Sequence, residues 1–136
     1  MKLEPCKTKF SKEFKGKIYG SAKRGFMLSF GWYGLKALES KRIKASQIEA
    51  ARKAINKYLK RSGKLWIKAF PNTPVSKKPT EVRMGKGKGN IEYYANKVKK
   101  GKVLFELDYI TEKQAKNAFN LASSKLPIKT RFIKHI

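Results

Sequence analysis

The sequence predicts an α+β fold, with two helices packed on a mixed, mainly antiparallel β-sheet, and three observations carry that reading. Two segments open with a capping box and continue with apolar residues at helical spacing. About six short apolar runs, bounded by glycine and proline, read as strands. With 136 residues, 40% of them hydrophobic, the chain suits one two-layered domain with a modest core. No internal repeat or linker interrupts it.

Residues 1–25 read as a basic N-terminal arm, and residues 26–136 as a single domain. The arm is punctuated by glycine and interleaves cations with Phe10, Phe14 and Tyr19. Phe26 to Leu38 reads as two strands broken by Gly31 and Gly34. Ser46-x-x-Glu49 is a capping box that opens the first helix, and Gly63 supplies its stop. Ile48, Ala51, Ile55, Tyr58 and Leu59 share its apolar face. Leu65 to Phe70 alternates as a strand, after which Pro71, Pro74 and Pro79 argue against regular structure. Glu81 to Met84 and Asn90 to Val98 read as strands flanking a glycine–lysine loop. Val103 to Leu107 follows a Lys99–Lys102 turn. The second helix starts at the box Thr111-x-x-Gln114, presents Ala115, Ala118, Phe119 and Ala122, and is stopped by Pro127. Ile128 to Ile133 is the final strand.

Charge narrows the function. Lys and Arg number 34 against 9 Asp and Glu, for a net charge of +25. Self-repulsion on that scale disfavours a free compact monomer and calls for a polyanionic partner. A membrane surface fits poorly, because the cations run end to end instead of forming one amphipathic stripe. Nucleic acid fits better. The cations are 28 Lys and 6 Arg, which suits sequence-tolerant contact with phosphates, since Lys acts as a flexible point charge. The same excess, with many Ile, Asn, Tyr and Phe, also fits an AT-rich genome.

Three groups of residues are candidates for RNA contact. In the arm they are Lys7, Lys9, Lys12, Lys15, Lys17 and Arg24, ordered along RNA by charge neutralisation and stacking. On the polar face of the first helix they are Arg52, Lys53, Lys57 and Lys60. In the loop they are Arg83, Lys86 and Lys88, with Gly85, Gly87 and Gly89 allowing close approach.

Catalytic and cofactor readings find no support. Gly85, Gly87 and Gly89 make G-x-G-x-G, neither the dinucleotide fingerprint nor the P-loop. Gly20 and Gly25 have P-loop spacing, but Phe26 and Met27 stand where Lys and Ser/Thr are required. The single Asp108 and single His135 offer no acid–base constellation, and Cys6 has no positioned base. Glu81 and Glu92 are placed to pair with Arg83 or a nearby Lys. Neither metal nor cofactor is expected, and the chain reads as a non-enzyme. Trp32, Tyr33, Trp66, Tyr93 and Tyr94 are candidates for core packing first and stacking second.

Several runs together resemble a known family. They are Thr8-Lys9-Phe10, Phe30-Gly31-x-Tyr33-Gly34-Leu35-Lys36-Ala37-Leu38, Gln47-Ile48-Glu49-Ala50-Ala51-Arg52 and Gly63-Lys64-x-Trp66-Ile67. Lys78-Pro79, Arg83 to Asn90 with Glu92-Tyr93, Gly101 to Glu106 and Lys125 to Thr130 complete the set. In order and over nearly the whole chain, they resemble the bacterial-type large-subunit ribosomal protein L-sixteen family, related to the archaeal and eukaryotic L-ten-e family.

The resemblance implies a structural rRNA-binding protein with a hammerhead-like α+β fold. It implies a place near the aminoacyl-tRNA site and the base of the central protuberance, beside other large-subunit proteins and with tRNA within contact. It implies neither a membrane partner nor a homo-oligomer. The arm departs from the family pattern at Cys6, Lys7 and Ser11, losing two cations, and Tyr94 stands where Trp is usual. Lys86 leans away from plastid relatives, which commonly carry Ser there. With the AT-rich composition and an N-terminus lacking a presequence or secretory signal, the expected location is a mitochondrion, where the protein would also be encoded. A bacterial ribosome or a plastid is the alternative. The competing function is a free-standing RNA chaperone or architectural protein.

Overall fold

The apolar runs build two sheets. The computed structural model describes residues 3–136. Its elements run β1 (Tyr33–Ala37), β2 (Lys41–Lys44), α1 (Ala45–Leu59), β3 (Lys64–Ile67), β4 (Thr73–Lys77), β5 (Asn90–Val98), β6 (Val103–Asp108), α2 (Glu112–Ser123) and β7 (Thr130–Lys134). One sheet has the order β3-β6-β1-β7 and the other β2-β5-β4. Every pairing within them is antiparallel. The α+β class is as the sequence predicts, with the single expected sheet divided in two.

Each sheet carries a helix. α1 packs against β2 and β5, α2 against β1 and β7, and the helices pack against each other. Ile48, Ala51, Ile55 and Leu59 of α1 and Ala115, Ala118, Phe119 and Ala122 of α2 are buried where they meet the core. β6 is paired on both edges by β3 and β1, and every residue from Val103 to Leu107 is buried, so both its faces are covered, in keeping with a run that is apolar except at Glu106. Tyr58 is the exception to the predicted α1 face. It is 39% exposed, and its hydroxyl accepts a 2.9 Å bond from Asn117 Nδ2 of α2.

Several boundaries differ from expectation for physical reasons. The N-cap of α1 is Lys44, whose backbone N–H donates to Gln47 Oε1 at 2.9 Å, so Ser46 lies inside the helix. With the cap at Lys44, Gln47 and not Glu49 is the box partner, and Glu49 accepts from Arg52 instead. The helix stops at Lys60 and Arg61, both left-handed, ahead of Gly63. α2 begins as predicted, with Thr111 Oγ1 accepting from the Gln114 N–H and Gln114 Oε1 accepting from the Thr111 N–H.

Phe26 to Leu38 holds one strand, β1, and not two. β4 crosses the proline-rich stretch that was expected to be irregular. It is an edge strand, where the missing N–H of Pro74 is tolerated. Glu81 to Met84 is not a strand but exposed irregular chain, so the hairpin β4–β5 carries a loop over residues 78–89. In the arm, Leu3 is buried in the core cluster, which the reading of residues 1–25 as separate from the core did not anticipate.

Candidate nucleic-acid interface

Loop geometry follows from its glycines, which serve two different ends. Gly85, Lys86 and Gly87 have φ of 98°, 58° and 93°. A Cβ at Gly85 or Gly87 would meet nothing within 4 Å. Those two glycines therefore serve the left-handed backbone and leave it open to an approaching surface. Gly89 differs, because a Cβ there would lie 2.7 Å from the Lys77 carbonyl oxygen. Its close approach is to the chain's own hairpin. Lys86 adopts a left-handed conformation without being glycine, and Met84 beside it is 99% exposed.

The arm meets this loop. Lys12 Nζ donates to the Lys88 carbonyl at 3.0 Å, and Lys88 Nζ donates in return to the Glu13 carbonyl. Further along, the Arg42 guanidinium of β2 donates to the Lys15 carbonyl and, at 2.8 Å, to the Gly16 carbonyl. Lys78 Nζ donates to the Gly85 carbonyl across the loop. The arm and loop cations are thus brought together around β2, β4 and β5. Among the described residues, Arg83 and Lys86 are exposed and have no side-chain hydrogen bond or ion pair, whereas Lys12 and Lys88 are engaged with backbone carbonyls. Lys7, Lys9, Lys15, Lys17 and Arg24 are exposed. Lys9 Nζ lies 5.7 Å from the Phe10 ring centroid, and Phe14 is 95% exposed.

The α1 cations split. Arg52 Nε donates to Glu49 Oε2 at 3.0 Å, with a second contact from Nη2 to Oε1. That hydrogen bond, followed in weight by the opposing effect of burial, holds the Glu49 carboxyl below its ordinary value. Arg52 is therefore committed within its own helix, while Lys53, Lys57 and Lys60 are exposed without an ion pair among the described residues. No side-chain hydrogen bond among those residues joins the α1 cations to the loop or the arm. Glu92 pairs with Lys77 at 4.0 Å, as its position beside the loop led one to expect.

Three features were not singled out from the sequence. The first is Glu106, fully buried in β6, whose carboxylate accepts the backbone N–H groups of Ser29 at 3.0 Å, Phe30 at 2.7 Å and Gly31 at 2.9 Å. An acid inside the apolar run Val103-Leu104-Phe105-Glu106-Leu107 was the available signal. The second is the aromatic pair that this clamp supports. Phe30 stacks on Trp66 at 6.0 Å between centroids, with Lys68 Nζ 4.2 Å from the Phe30 ring and Lys64 Nζ 5.2 Å from the Trp66 ring. Of the aromatics predicted first for the core, Trp32 is half-exposed and stacks on His135, Tyr33 packs against the core and stacks on Phe132, and Tyr93 lies under the Lys44 ammonium. The third is a cluster of cations at residues 23–24 and 97–102, in which burial, and then the charge of Lys68, push the Lys102 ammonium below the ordinary lysine range.

This surface can bind an extended polyanion and offer rings to its bases. Among the described residues no group of three or more His, Cys, Asp or Glu side chains is placed to hold a metal ion, and no helix is long and apolar enough to cross a membrane.

Comparison with known proteins bears on these features. Residues 5–133 match the family described as Ribosomal protein L16p/L10e. The chain is 58% identical over 134 residues to the large ribosomal subunit protein uL16 of Bartonella bacilliformis, covering 98% of each chain. It is 60% identical to the uL16 of Methylocella silvestris and 57% identical to that of Allorhizobium ampelinum, over the same shares.

Proposed function

The chain belongs to the Ribosomal protein L16p/L10e family, and from that premise we propose where and how it works in the ribosome. It is a structural, non-enzymatic constituent of the large ribosomal subunit. It binds large-subunit rRNA near the aminoacyl-tRNA site and the base of the central protuberance, and it comes within contact of tRNA there. The observation that carries this reading is the end-to-end identity to uL16 proteins, 58% over 98% of both chains.

The geometry supplies the means. Arg83 and Lys86 stand on a loop whose left-handed glycines keep side chains away from its surface, so a phosphate backbone can lie against it. The arm cations Lys7, Lys9, Lys12, Lys15, Lys17 and Arg24 extend the contact along RNA. Lys53, Lys57 and Lys60 add a second strip, to which Arg52 contributes through its free edge. The organisation is a basic arm, residues 1–25, on a single domain, residues 26–136. The arm's departures at Cys6 and Ser11 weaken contact at those two points.

Sedimentation tests the function. A ribosomal protein stays with the large subunit through a high-salt wash, because many contacts hold it in place, whereas a chaperone bound by charge alone is stripped. Recovery in the free pool after the wash sinks the reading. The excess of Lys over Arg with many Ile, Asn, Tyr and Phe supports a mitochondrial ribosome as its location, and Lys86 speaks against a plastid. Mass spectrometry of purified mitochondrial ribosomes from the source organism checks this, and peptides found only in another compartment's ribosomes overturn it.

A further inference from the structure

Away from the glycine–lysine loop, the chain crosses itself in a second place. Ser21 and Lys100 form a parallel bridge, Ala22 N–H donates to the Lys100 carbonyl at 2.9 Å, and Val103 N–H donates to the Gly25 carbonyl at 2.7 Å. Residues 21–25 are therefore fastened at both ends to the turn between β5 and β6. Between them lies a cleft of about 340 Å³ lined by Ala22, Lys23, Arg24, Lys97, Lys99 and Lys102. Five of those six residues are cations and none is an acid. None of the five has an ion pair or a side-chain hydrogen bond among the described residues.

Lys102 sharpens the argument, because it is partly buried and yet faces only like charge from its neighbours. Taking an ammonium out of water without a counter-charge is unfavourable. Backbone hydrogen bonds nevertheless hold the chain here, so the arrangement favours an anion beside Lys102. Lys23, Arg24 and Lys99 are exposed, which leaves the cleft open to a long ligand. Five converging charges exceed what one small anion neutralises, while successive phosphodiesters match them.

We propose that this cleft is a second RNA site, in which Lys23, Arg24, Lys97, Lys99 and Lys102 hold consecutive phosphates of the rRNA backbone. Of these five, Arg24 alone is among the arm, loop and α1 cations to which RNA contact was assigned above. The site rests on the reading of the chain as an rRNA-binding protein. It fastens the root of the arm to RNA on the side of the β5–β6 turn.

The test is lysine acetylation of the full chain, read by mass spectrometry, with and without an in vitro transcript of Bartonella bacilliformis large-subunit rRNA, and in parallel with tRNA. Modification of Lys23, Lys97 and Lys99 should fall several-fold with the rRNA and fall less at Lys113 of α2 and Lys125 of the turn after it, neither of which lines the cleft. Equal protection at all five overturns the site, and protection by tRNA alone overturns its assignment to rRNA. A second measurement uses Lys97→Gln/Lys99→Gln/Lys102→Gln. Its slope of log affinity against log salt should shrink by about 2–3, at roughly 0.7–0.9 for each of three phosphates no longer neutralised. An unchanged slope sinks the cleft while leaving rRNA binding intact, whereas a wild-type chain that does not bind the transcript sinks the underlying reading. Should the triple variant not fold, the wild-type protection pattern decides alone.

Discussion

Glu106 and Gly31 are joined by a buried hydrogen bond of 2.9 Å, from the Gly31 N–H to Glu106 Oε2, although 75 residues separate them in the chain. Gly31 is confined as well as bonded, since a Cβ there would lie 2.7 Å from the Leu107 carbonyl oxygen. The same carboxylate takes the N–H groups of Ser29 and Phe30. One acid in a central strand thereby fixes the loop that carries the exposed ring of Phe30.

Glu106→Ala should destabilise the chain by about 1–3 kcal/mol for the buried Gly31 donor alone, because a buried N–H left without an acceptor bears its full desolvation cost. Glu106→Gln keeps one acceptor oxygen and should lose less. Urea denaturation measures both. Amide exchange at residues 29–31 should quicken more than elsewhere in the alanine variant. Equal stability of alanine variant and wild type would show that the clamp contributes nothing.

In the loop, charge and shape can be separated. Lys86 has a φ of 58°, which costs an ordinary L residue roughly 1–2 kcal/mol. Lys86→Gly should therefore fold at least as well as wild type, yet weaken RNA binding by removing a cation. Gly87→Ala should retain the charge and strain the backbone instead, at a φ of 93°. Replacing Lys86 and Lys88 together by Ala should lower incorporation into subunits and flatten the salt dependence of RNA binding. If the double variant keeps the wild-type salt slope, the loop is not a phosphate contact.

Acid should weaken the second turn of α1 and the first turn of α2. Hydrogen bonding to Arg52 lowers the Glu49 carboxyl, and hydrogen bonding to Lys116, then Lys134, lowers that of Glu112. A carboxylate whose folded pKa lies below its unfolded value stabilises the fold above the unfolded value, here about 4.5. That stabilisation is lost as pH falls through the folded pKa. The stability difference between wild type and Glu49→Gln should hold constant from neutral pH to about 5 and disappear on further acidification. A difference that instead grows below pH 4.5 would rule out this linkage.

How much of this was legible depended on whether neighbours in sequence carried the signal. α2 was read almost residue by residue, because Thr111, Gln114, Ala115, Ala118, Phe119 and Ala122 supply both cap and face locally. β2 was missed because only Ile43 of its four residues is buried, and its pairing partner β5 lies far along the chain. β4 was missed because proline argues against a strand until an edge position is known. Val82 and Met84 alternate like a strand but find no partner and stay exposed. Among the site residues, the loop cations are close together in sequence and could be read directly. The cleft of Lys23, Arg24, Lys97, Lys99 and Lys102 could not, since the Ser21–Lys100 bridge creates it only on folding.

α1 allows core and interface to be told apart on one helix. Ile55 is fully buried against the core, so Ile55→Ala should cost about 2–5 kcal/mol by leaving a cavity. Lys57 is exposed, and Lys57→Ala should change stability by no more than about 0.5 kcal/mol. Its effect should appear instead as reduced assembly into large subunits. Undiminished incorporation of a Lys53→Ala/Lys57→Ala/Lys60→Ala chain would leave that face simply solvated.

The arm gives the last prediction. Residues 21–25 are fastened to the β5–β6 turn, but before them the arm touches the body only at a few points, among them Leu3, the exchange between Lys12 and Lys88, and Arg42 at the Lys15 and Gly16 carbonyls. Fixing its backbone costs roughly 1–2 kcal/mol per residue. A typical hydrogen bond returns only about 0.5–1.5 kcal/mol. Those few anchors do not offset the ordering of residues 7–20, and on the proposed function RNA phosphates should supply the remainder through Lys7, Lys9, Lys15 and Lys17. Trypsin should therefore cut rapidly after Lys9, Lys15 and Lys17 in the free protein and slowly in intact large subunits. Arg42→Ala should hasten cleavage after Lys15 and Lys17 in the free protein and change little in the particle. If residues 7–20 resist trypsin in the free chain, the arm belongs to the core and the boundary at residue 25 is misplaced.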